Sequence, residues 1–192
     1  MDCNQFIAKI LKKEGVEWIS CFPSNPLIEA VAQEGIRPIA FRHERGAVMA
    51  ADGFSRTSDR NRFGIVAVQS QAGAENALGG VAQAYADNIP ILVLPGGVSL
   101  SELAVQPNYS VSQNYRGVVK RVEAIYRPDQ VVAVMRRAFS ALRNGSPGPV
   151  AVELIADVCA MESTQHIDQY MPPPTVKQLP DSSDITAAAQ AL

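Results

Sequence analysis

Cysteine, histidine and long apolar runs are all scarce in this sequence, and each scarcity excludes a class of protein. Three cysteines, at positions 3, 21 and 159, occur among 192 residues, with no CxxC pair and no His/Cys cluster. Disulfide-rich secreted domains and zinc sites need paired or closely spaced cysteines, so we interpret these three as reduced core residues. No apolar run is long enough to cross a bilayer, and the N-terminus has neither the apolar core nor the cleavage site of a signal peptide. The sequence therefore predicts a soluble, cytoplasmic protein with no membrane partner.

The sequence also lacks a clear excess of either positive or negative charge. Lys and Arg number 17, Asp and Glu number 19, and the formal net charge is −2. A nucleic-acid or anionic-membrane partner would favour a basic surplus, so we expect no nucleic-acid partner. The hydrophobic fraction of 47% is typical of a globular protein and argues against disorder throughout the chain.

Several common catalytic and nucleotide-binding motifs do not occur. "PSNP" at residues 23–26 follows the first predicted strand, where a dinucleotide-binding domain needs GxGxxG so that its backbone can approach a pyrophosphate. Neither a Walker A sequence nor a GxSxG elbow is found. A Ser-His-Asp site would have only His43 to use, because His166 lies in a predicted linker, and no serine motif supports such a site.

What the sequence does contain is a regular alternation of strand and helix patterns. Continuous apolar runs such as residues 64–69 are typical of strands buried on both faces of a parallel sheet. The patterns predict helices at 3–14, 27–33, 43–57, 74–87 and 129–143, and strands at 16–22, 37–41, 64–69, 89–97, 117–125 and 150–154. This alternation predicts an α/β fold, a three-layer α/β/α sandwich on a mostly parallel six-stranded sheet. The stretch 98–116 is predicted to be irregular and polar.

The C-terminal part of the chain loses this pattern. We expect one domain over residues 1–160, followed by a linker over 161–184 whose run Pro172–Pro174 makes it extended and semi-rigid. Residues 185–192, within "DITAAAQAL", resemble the opening of a new helix, so we expect the truncated start of a following domain. The abrupt end favours a fragment of a longer chain over a natural small subunit.

One stretch, "FRHERGAVMAADG" at residues 41–53, combines an acid at a predicted helix start with a helix body of small residues. Glu44 is open to two interpretations, an ordinary first-turn acid facing the positive end of the helix dipole or a functional carboxyl group. His43 and Arg45 are open to an interpretation as solvated charges. The small residues of this helix and of helix 74–87 predict either tight packing on the sheet or a subunit interface.

The longer stretch "FRHERGAVMAADGFSR" resembles the pyrimidine-binding domain of thiamine-diphosphate enzymes, in the acetolactate synthase and 2-oxo-acid decarboxylase group. Three further segments agree in order and spacing, so that the resemblance covers roughly residues 2–160: "GVEWISCFPSNPLIEAV", "GIVAVQSQAGAENALGGVAQAYADNIPILVLPGG" and "NGSPGPVAVEL".

The resemblance implies a role for Glu44. In this family the matching acid hydrogen-bonds a ring nitrogen of the cofactor's aminopyrimidine and favours its imino tautomer, which then removes the thiazolium C2 proton to give the ylid. The implied cofactor contacts are Glu44, Pro23, Ser70, Gln71, Ala72, Gly73 and Asn76. His43 and Gln113 are candidates for positions near the substrate. Gln71-Ala72-Gly73 departs from the Gly-Pro-Gly of many relatives, so Gln71 adds a side chain near the cofactor.

The resemblance also implies that half of the site is elsewhere. In the family the cofactor's diphosphate and its Mg²⁺ are held by another domain through a GDG-type motif, which this sequence lacks. We therefore expect no metal ligand in this chain, a partner domain of the same or another chain that binds the diphosphate, and a homodimer or homotetramer with the cofactor across its interface.

The resulting functional prediction is a carboligase or decarboxylase acting on a 2-oxo acid, with this chain supplying the pyrimidine half-site and Glu44 activating the cofactor. Another chemistry of the same group, such as that of an acyl-CoA lyase, is an alternative. A non-catalytic assembly module or small subunit with the same fold is an alternative from a different class.

Overall fold

Six parallel strands form a single sheet in the part of the chain that the computed structural model describes, residues 1–58, 62–176 and 179–192. The strands lie in the order β2-β1-β3-β4-β6-β5. Their bounds are β1 Trp18–Cys21, β2 Arg37–Ala40, β3 Gly64–Val68, β4 Ile91–Pro95, β5 Arg121–Ile125 and β6 Val150–Leu154. The predicted α/β sandwich is confirmed, and every strand pair is parallel.

The burial of the strands follows their sequences. All residues of β3 (GIVAV) and β4 (ILVLP) are buried, as expected for central strands of a parallel sheet covered on both faces. Strand β2 (RPIA) lies at one edge and contains Pro38, a residue that sheets tolerate at edges because it has no N–H to donate.

Helices cover both faces of the sheet and create two apolar clusters. Their bounds are α1 Cys3–Lys13, α2 Leu27–Gln33, α3 Glu44–Thr57, α4 Ala72–Ala86, α5 Val111–Asn114, α6 Val131–Arg143, α7 Ala156–Ala160 and α8 Ser182–Ala191. Side chains of α1, α2, α6 and α7 form one cluster with alternate residues of the strands, and α3 and α4 form the other. Successive strand residues point to opposite faces, so Ile65 joins the first cluster and Val66 the second.

The small residues of α3 and α4 let these helices approach each other and the sheet closely. A Cβ on Gly80 would lie 2.9 Å from Val48 Cγ1, and one on Gly64 would lie 2.0 Å from the Ala51 carbonyl oxygen. Ala47 and Ala77 are completely buried within the same cluster. Tight internal packing therefore accounts for the buried members of the small-residue set.

Several element bounds differ from the sequence predictions by one or more residues. Helix α4 begins at Ala72, two residues earlier than predicted, because Gln71 turns the chain with a positive φ. Strand β5 begins at Arg121, so the predicted strand over 117–125 is too long by its first four residues. The segment predicted to be irregular contains the short helix α5.

The residues after β6 continue to contact the domain. The Tyr170 side chain is completely buried, and its hydroxyl group hydrogen-bonds the carboxyl group of Glu14. The Cys3 N–H donates to the Met161 carbonyl oxygen at 3.0 Å. Helix α8 starts at Ser182 behind the cap Asp181 and has no buried residue. Residues 177 and 178 of the predicted linker lie outside the described residues.

All three cysteines are buried and free, as predicted for core residues. Burial raises the pKa of Cys3 to about 11 and that of Cys159 to about 12, so neither thiol is a reactive thiolate near neutral pH. Within the described ranges, no helix is both long and apolar enough to cross a lipid bilayer.

Candidate functional site

The site lies at the carboxyl ends of the parallel strands, where α/β sheets commonly bind ligands. Asn25, which follows β1, is 5% exposed, and its side-chain amide donates to the carbonyl oxygens of Val68 at 2.9 Å and Leu94 at 3.0 Å. Its Oδ1 also accepts the Leu27 N–H, which places the first turn of α2. One buried amide thus joins the ends of β1, β3 and β4 and fixes this edge of the sheet.

Glu44 is the first residue of α3 and is only 4% exposed, with His43 as the N-cap. Glu44 is therefore a buried acid in the first turn of α3. The side-chain amide of Asn76, on α4, donates to Glu44 Oε2 at 3.2 Å. Glu44 Oε1 accepts no hydrogen bond from the described residues, so one carboxyl oxygen of a buried acid stays available.

Gly73 leaves the space that this free oxygen occupies. A Cβ on Gly73 would lie 3.2 Å from Glu44 Oε1, 3.0 Å from Gln69 Cβ and 2.9 Å from Gln69 Cγ. The first turn of α4 therefore approaches the carboxyl group of α3 with no room for a side chain at this position. The sequence predicted that Glu44, Gly73 and Asn76 share one site, and the structure brings them together.

His43 and Arg45 flank the acid but point away from the interior. Both side chains are exposed, and His43 Nδ1 accepts the Arg45 backbone N–H at 3.1 Å. Nδ1 also lies 3.9 Å from Glu44 Oε2. Because Nδ1 accepts the Arg45 N–H, a neutral His43 carries its proton on Nε2. His43 thus caps α3 while remaining at the edge of the site.

Gln71 has an unusual backbone, and both ends of its side-chain amide are hydrogen-bonded. Its φ of 55° and ψ of −115° fall in a region that glycine adopts readily and other residues rarely adopt. Its Nε2 donates to Asn108 Oδ1 at 2.8 Å, and its Oε1 accepts the Tyr109 N–H at 2.9 Å. Gln71 therefore connects the first turn of α4 to the segment that precedes α5.

The remaining predicted residues are distributed around this centre. Ser70 accepts the Gly73 N–H through its carbonyl oxygen at 3.1 Å, and Ala72 is exposed at the start of α4. Pro23 lies in an apolar groove with Pro26 and Pro38. Gln113 lies in a different cavity, of about 210 Å³, lined also by Asn108 and Tyr126. Glu44 lines neither of these two cavities.

Sequence reasoning missed Asn25, Asn108 and Glu153 as residues that organise this edge. Glu153 is 4% exposed, and burial raises its pKa to about 7, although the N–H groups of Val111 and Ser112 donate to it and oppose this shift. The signal was visible, because "VAVEL" places one acid inside an otherwise apolar strand. Among residues 1–58, 62–176 and 179–192, no group of three or more His, Cys, Asp or Glu side chains is placed to hold a metal ion.

Comparisons with known proteins place the chain in a family. A family described as "Thiamine pyrophosphate enzyme, N-terminal TPP binding domain" matches residues 1–119. The acetolactate synthase large subunit of Lactococcus lactis subsp. lactis (strain IL1403) is 35% identical over 169 residues, which cover 84% of this chain and 29% of that protein. The isozyme 3 large subunit of Escherichia coli (strain K12) is 33% identical over 161 residues, covering 80% of this chain and 28% of that protein.

A third relative gives a similar match. The probable acetolactate synthase large subunit of Methanocaldococcus jannaschii is 32% identical over 179 residues, covering 91% of this chain and 29% of that protein. The chain thus spans about 29% of the length of these curated relatives. The family resemblance seen in the sequence is confirmed, and the chain belongs to the thiamine pyrophosphate enzymes as an N-terminal TPP-binding domain related to that of acetolactate synthases.

Proposed function

We propose that this chain is the pyrimidine-binding half-site of a thiamine-diphosphate-dependent carboligase or decarboxylase acting on a 2-oxo acid. The observation that carries the proposal is the buried carboxyl group of Glu44, which has one oxygen held by Asn76 and the other available beside Gly73. The names of the relatives, acetolactate synthase large subunits, support a 2-oxo acid as substrate.

The available carboxyl oxygen of Glu44 fits an aminopyrimidine. A ring nitrogen that carries or shares a proton needs an acceptor at a fixed place, and Glu44 Oε1 is such an acceptor. Glu44 would hold that proton, with the backbone around Ser70, Gln71 and Ala72 lining the ring. The chemistry that thiamine diphosphate supplies when bound is an electron sink for cleavage of the bond between the keto carbon and the carboxylate.

Asn76 keeps the carboxyl group in one orientation. Its amide donates to Oε2 only, so rotation of the carboxyl group would break that hydrogen bond. A hydrogen bond to a charged group contributes about 1.5–3 kcal/mol, enough to favour one orientation strongly. Positioned acid-base groups of this kind typically accelerate reactions by roughly 10²–10⁴-fold.

The rest of the active enzyme lies outside this half-site. We propose that a diphosphate-binding domain of the same or another chain holds Mg²⁺, and that the assembled protein is a homodimer or homotetramer. Gly79 and Ala86 are exposed on α4, and Gly46 and Ala50 are half-buried on α3, which suits a close interface between copies. A cytoplasmic location stays a prediction from composition.

The test is a pair of matched substitutions in the assembled enzyme. Glu44→Gln keeps the size of the side chain and should retain the fold, while exchange of the cofactor's thiazolium C2 proton for deuterium slows by roughly 10²–10⁴-fold. Glu29→Gln replaces an exposed first-turn acid of α2 and should leave that exchange unchanged. Cofactor affinity and the melting temperature are measured for both variants.

Two outcomes would contradict the proposal. If Glu44→Gln exchanges the C2 proton as fast as the parent with equal cofactor occupancy, Glu44 does not activate the cofactor. If the parent protein binds no thiamine diphosphate when its diphosphate-binding partner is present, the chain is an assembly module or non-catalytic subunit. Turnover of an acyl-CoA in place of every 2-oxo acid in a substrate panel would favour the lyase alternative.

A further inference from the structure

Gln71 occupies a backbone position that suits glycine. At φ 55° and ψ −115°, a side chain crowds its own backbone, whereas glycine adopts these angles without penalty. Such conformations persist when surrounding contacts impose them, and they concentrate at functional sites. Because glutamine is strained at this position, we expect contacts of its side chain to offset the strain.

Both ends of the Gln71 amide are engaged by the same neighbouring segment. Nε2 donates to the Asn108 side chain, and Oε1 accepts the Tyr109 backbone N–H. The Asn108 amide in turn donates to the Leu103 carbonyl oxygen at 3.0 Å. A continuous series of hydrogen bonds thus runs from the start of α4 into residues 103–109.

The same segment is attached to α4 a second time. The Tyr115 hydroxyl group donates to the Ala74 carbonyl oxygen at 2.6 Å, and Tyr115 is completely buried. The loop consisting of residues 106–115 therefore spans the first turn of α4 between Gln71 and Ala74. Gly73, which lies between these two attachment points, is the residue whose Cβ would lie 3.2 Å from Glu44 Oε1.

The first attachment matters because, besides the packing of Tyr109 against the cluster of α3 and α4, the Gln71 amide provides the hydrogen bonds between this end of the loop and α4. Gln106 and Pro107 are exposed, and the Tyr109 hydroxyl is buried with no hydrogen-bond partner in the described part of the chain. A buried hydroxyl group without a hydrogen-bond partner destabilises the packing of this loop against α4. Removal of the Gln71 amide should therefore release residues 106–110 while Tyr115 keeps the far end in place.

We propose that Gln71 is a positioning residue that fixes residues 106–110 beside the Glu44 carboxyl group, so that this loop forms one wall of the space occupied by the 2-oxo acid. The inference rests on the proposed function for the identity of the substrate. The attachment of the loop by Gln71 is independent of that function and has its own readout.

The first experiment measures hydrogen exchange at the Tyr109 amide in the assembled protein. Gln71→Gly keeps the backbone angles and removes the side-chain amide, so we expect Tyr109 exchange to accelerate by roughly five- to tenfold. Asn88→Gly is the matched control, because Asn88 also has a positive φ, of 54°, but lies beyond the other end of α4. Unchanged Tyr109 exchange in Gln71→Gly would overturn the attachment.

The second experiment separates positioning from mere structural support. In Gln71→Gly we expect the KM for the 2-oxo acid to rise by roughly tenfold with a much smaller change in kcat. Gln71→Glu retains the acceptor for the Tyr109 N–H and should recover part of both the KM and the Tyr109 protection. If Tyr109 is deprotected but the KM is unchanged, the loop does not form a wall of the substrate space.

Failure of the proposed function would be seen separately. Fast C2-proton exchange in Glu44→Gln, or no turnover of any 2-oxo acid by the parent, would overturn the assignment of the site and with it the substrate wall. Neither result affects Tyr109 amide exchange, which reports on Gln71 alone.

Discussion

Substitution of Gly73 by alanine tests the close approach of α4 to Glu44. The new Cβ would lie 2.9 Å from Gln69 Cγ and 3.0 Å from Gln69 Cβ, closer than side chains tolerate, and neither atom is the flexible end of its side chain. Overpacking of this kind costs about 1–3 kcal/mol. The loss of glycine's freedom in the unfolded chain offsets about 0.4–1 kcal/mol of that cost.

The expected net effect is a destabilisation of roughly 1–2 kcal/mol, or about 2–8 °C in melting temperature for a domain of this size. The Cβ would also lie 3.2 Å from Glu44 Oε1 and should displace the carboxyl group. Small displacements of a catalytic group reduce rates strongly, so C2-proton exchange should slow by about tenfold or more.

Scanning fluorimetry and C2-proton exchange check the two parts of this prediction. Gly117→Ala is the control, because a Cβ there would meet no atom within 4 Å and its φ is not positive. That variant should be neutral or slightly stabilised, by at most about 1 kcal/mol. If Gly73→Ala melts and exchanges like Gly117→Ala, α4 does not confine the Glu44 carboxyl group as described.

Two other predictions concern Glu153 and assembly. Because the folded-state pKa of Glu153 is raised to about 7 from an ordinary 4.5, the folded protein binds the proton more tightly than the unfolded chain, and stability should fall as pH rises from 4.5 to 7. Glu153→Gln should therefore raise the free energy of unfolding by about 1–3 kcal/mol above pH 7 and leave it nearly unchanged near pH 4.5. Urea unfolding across this pH range measures the difference. Equal effects at both pH values would contradict the raised pKa of Glu153. We also expect light scattering to find a homodimer or larger assembly, weakened when Gly79 on the exposed face of α4 is replaced by Gln; a monomer at high concentration would exclude the proposed interface.

The sequence by itself determined the layer architecture of this protein. Runs such as residues 64–68 and 91–95 are apolar throughout, and they can be buried on both faces only inside a sheet that helices cover on both sides. Local patterns also located an acid at the start of α3 and small residues along α3 and α4. These features depend on neighbours within a few positions in the chain, so periodicity reveals them.

Only the tertiary structure decided which side chains meet. Asn76 contacts Glu44 across 32 positions, and Gln71 contacts Tyr109 across 38, because the sheet order places the first turns of α3 and α4 side by side at one edge. Burial of Glu44 follows from that packing and is invisible in "RHERG", where every neighbour of the acid is charged or small. Local propensity specifies the elements, whereas the space left between packed elements decides which carboxyl group is enclosed and which loop lies against it.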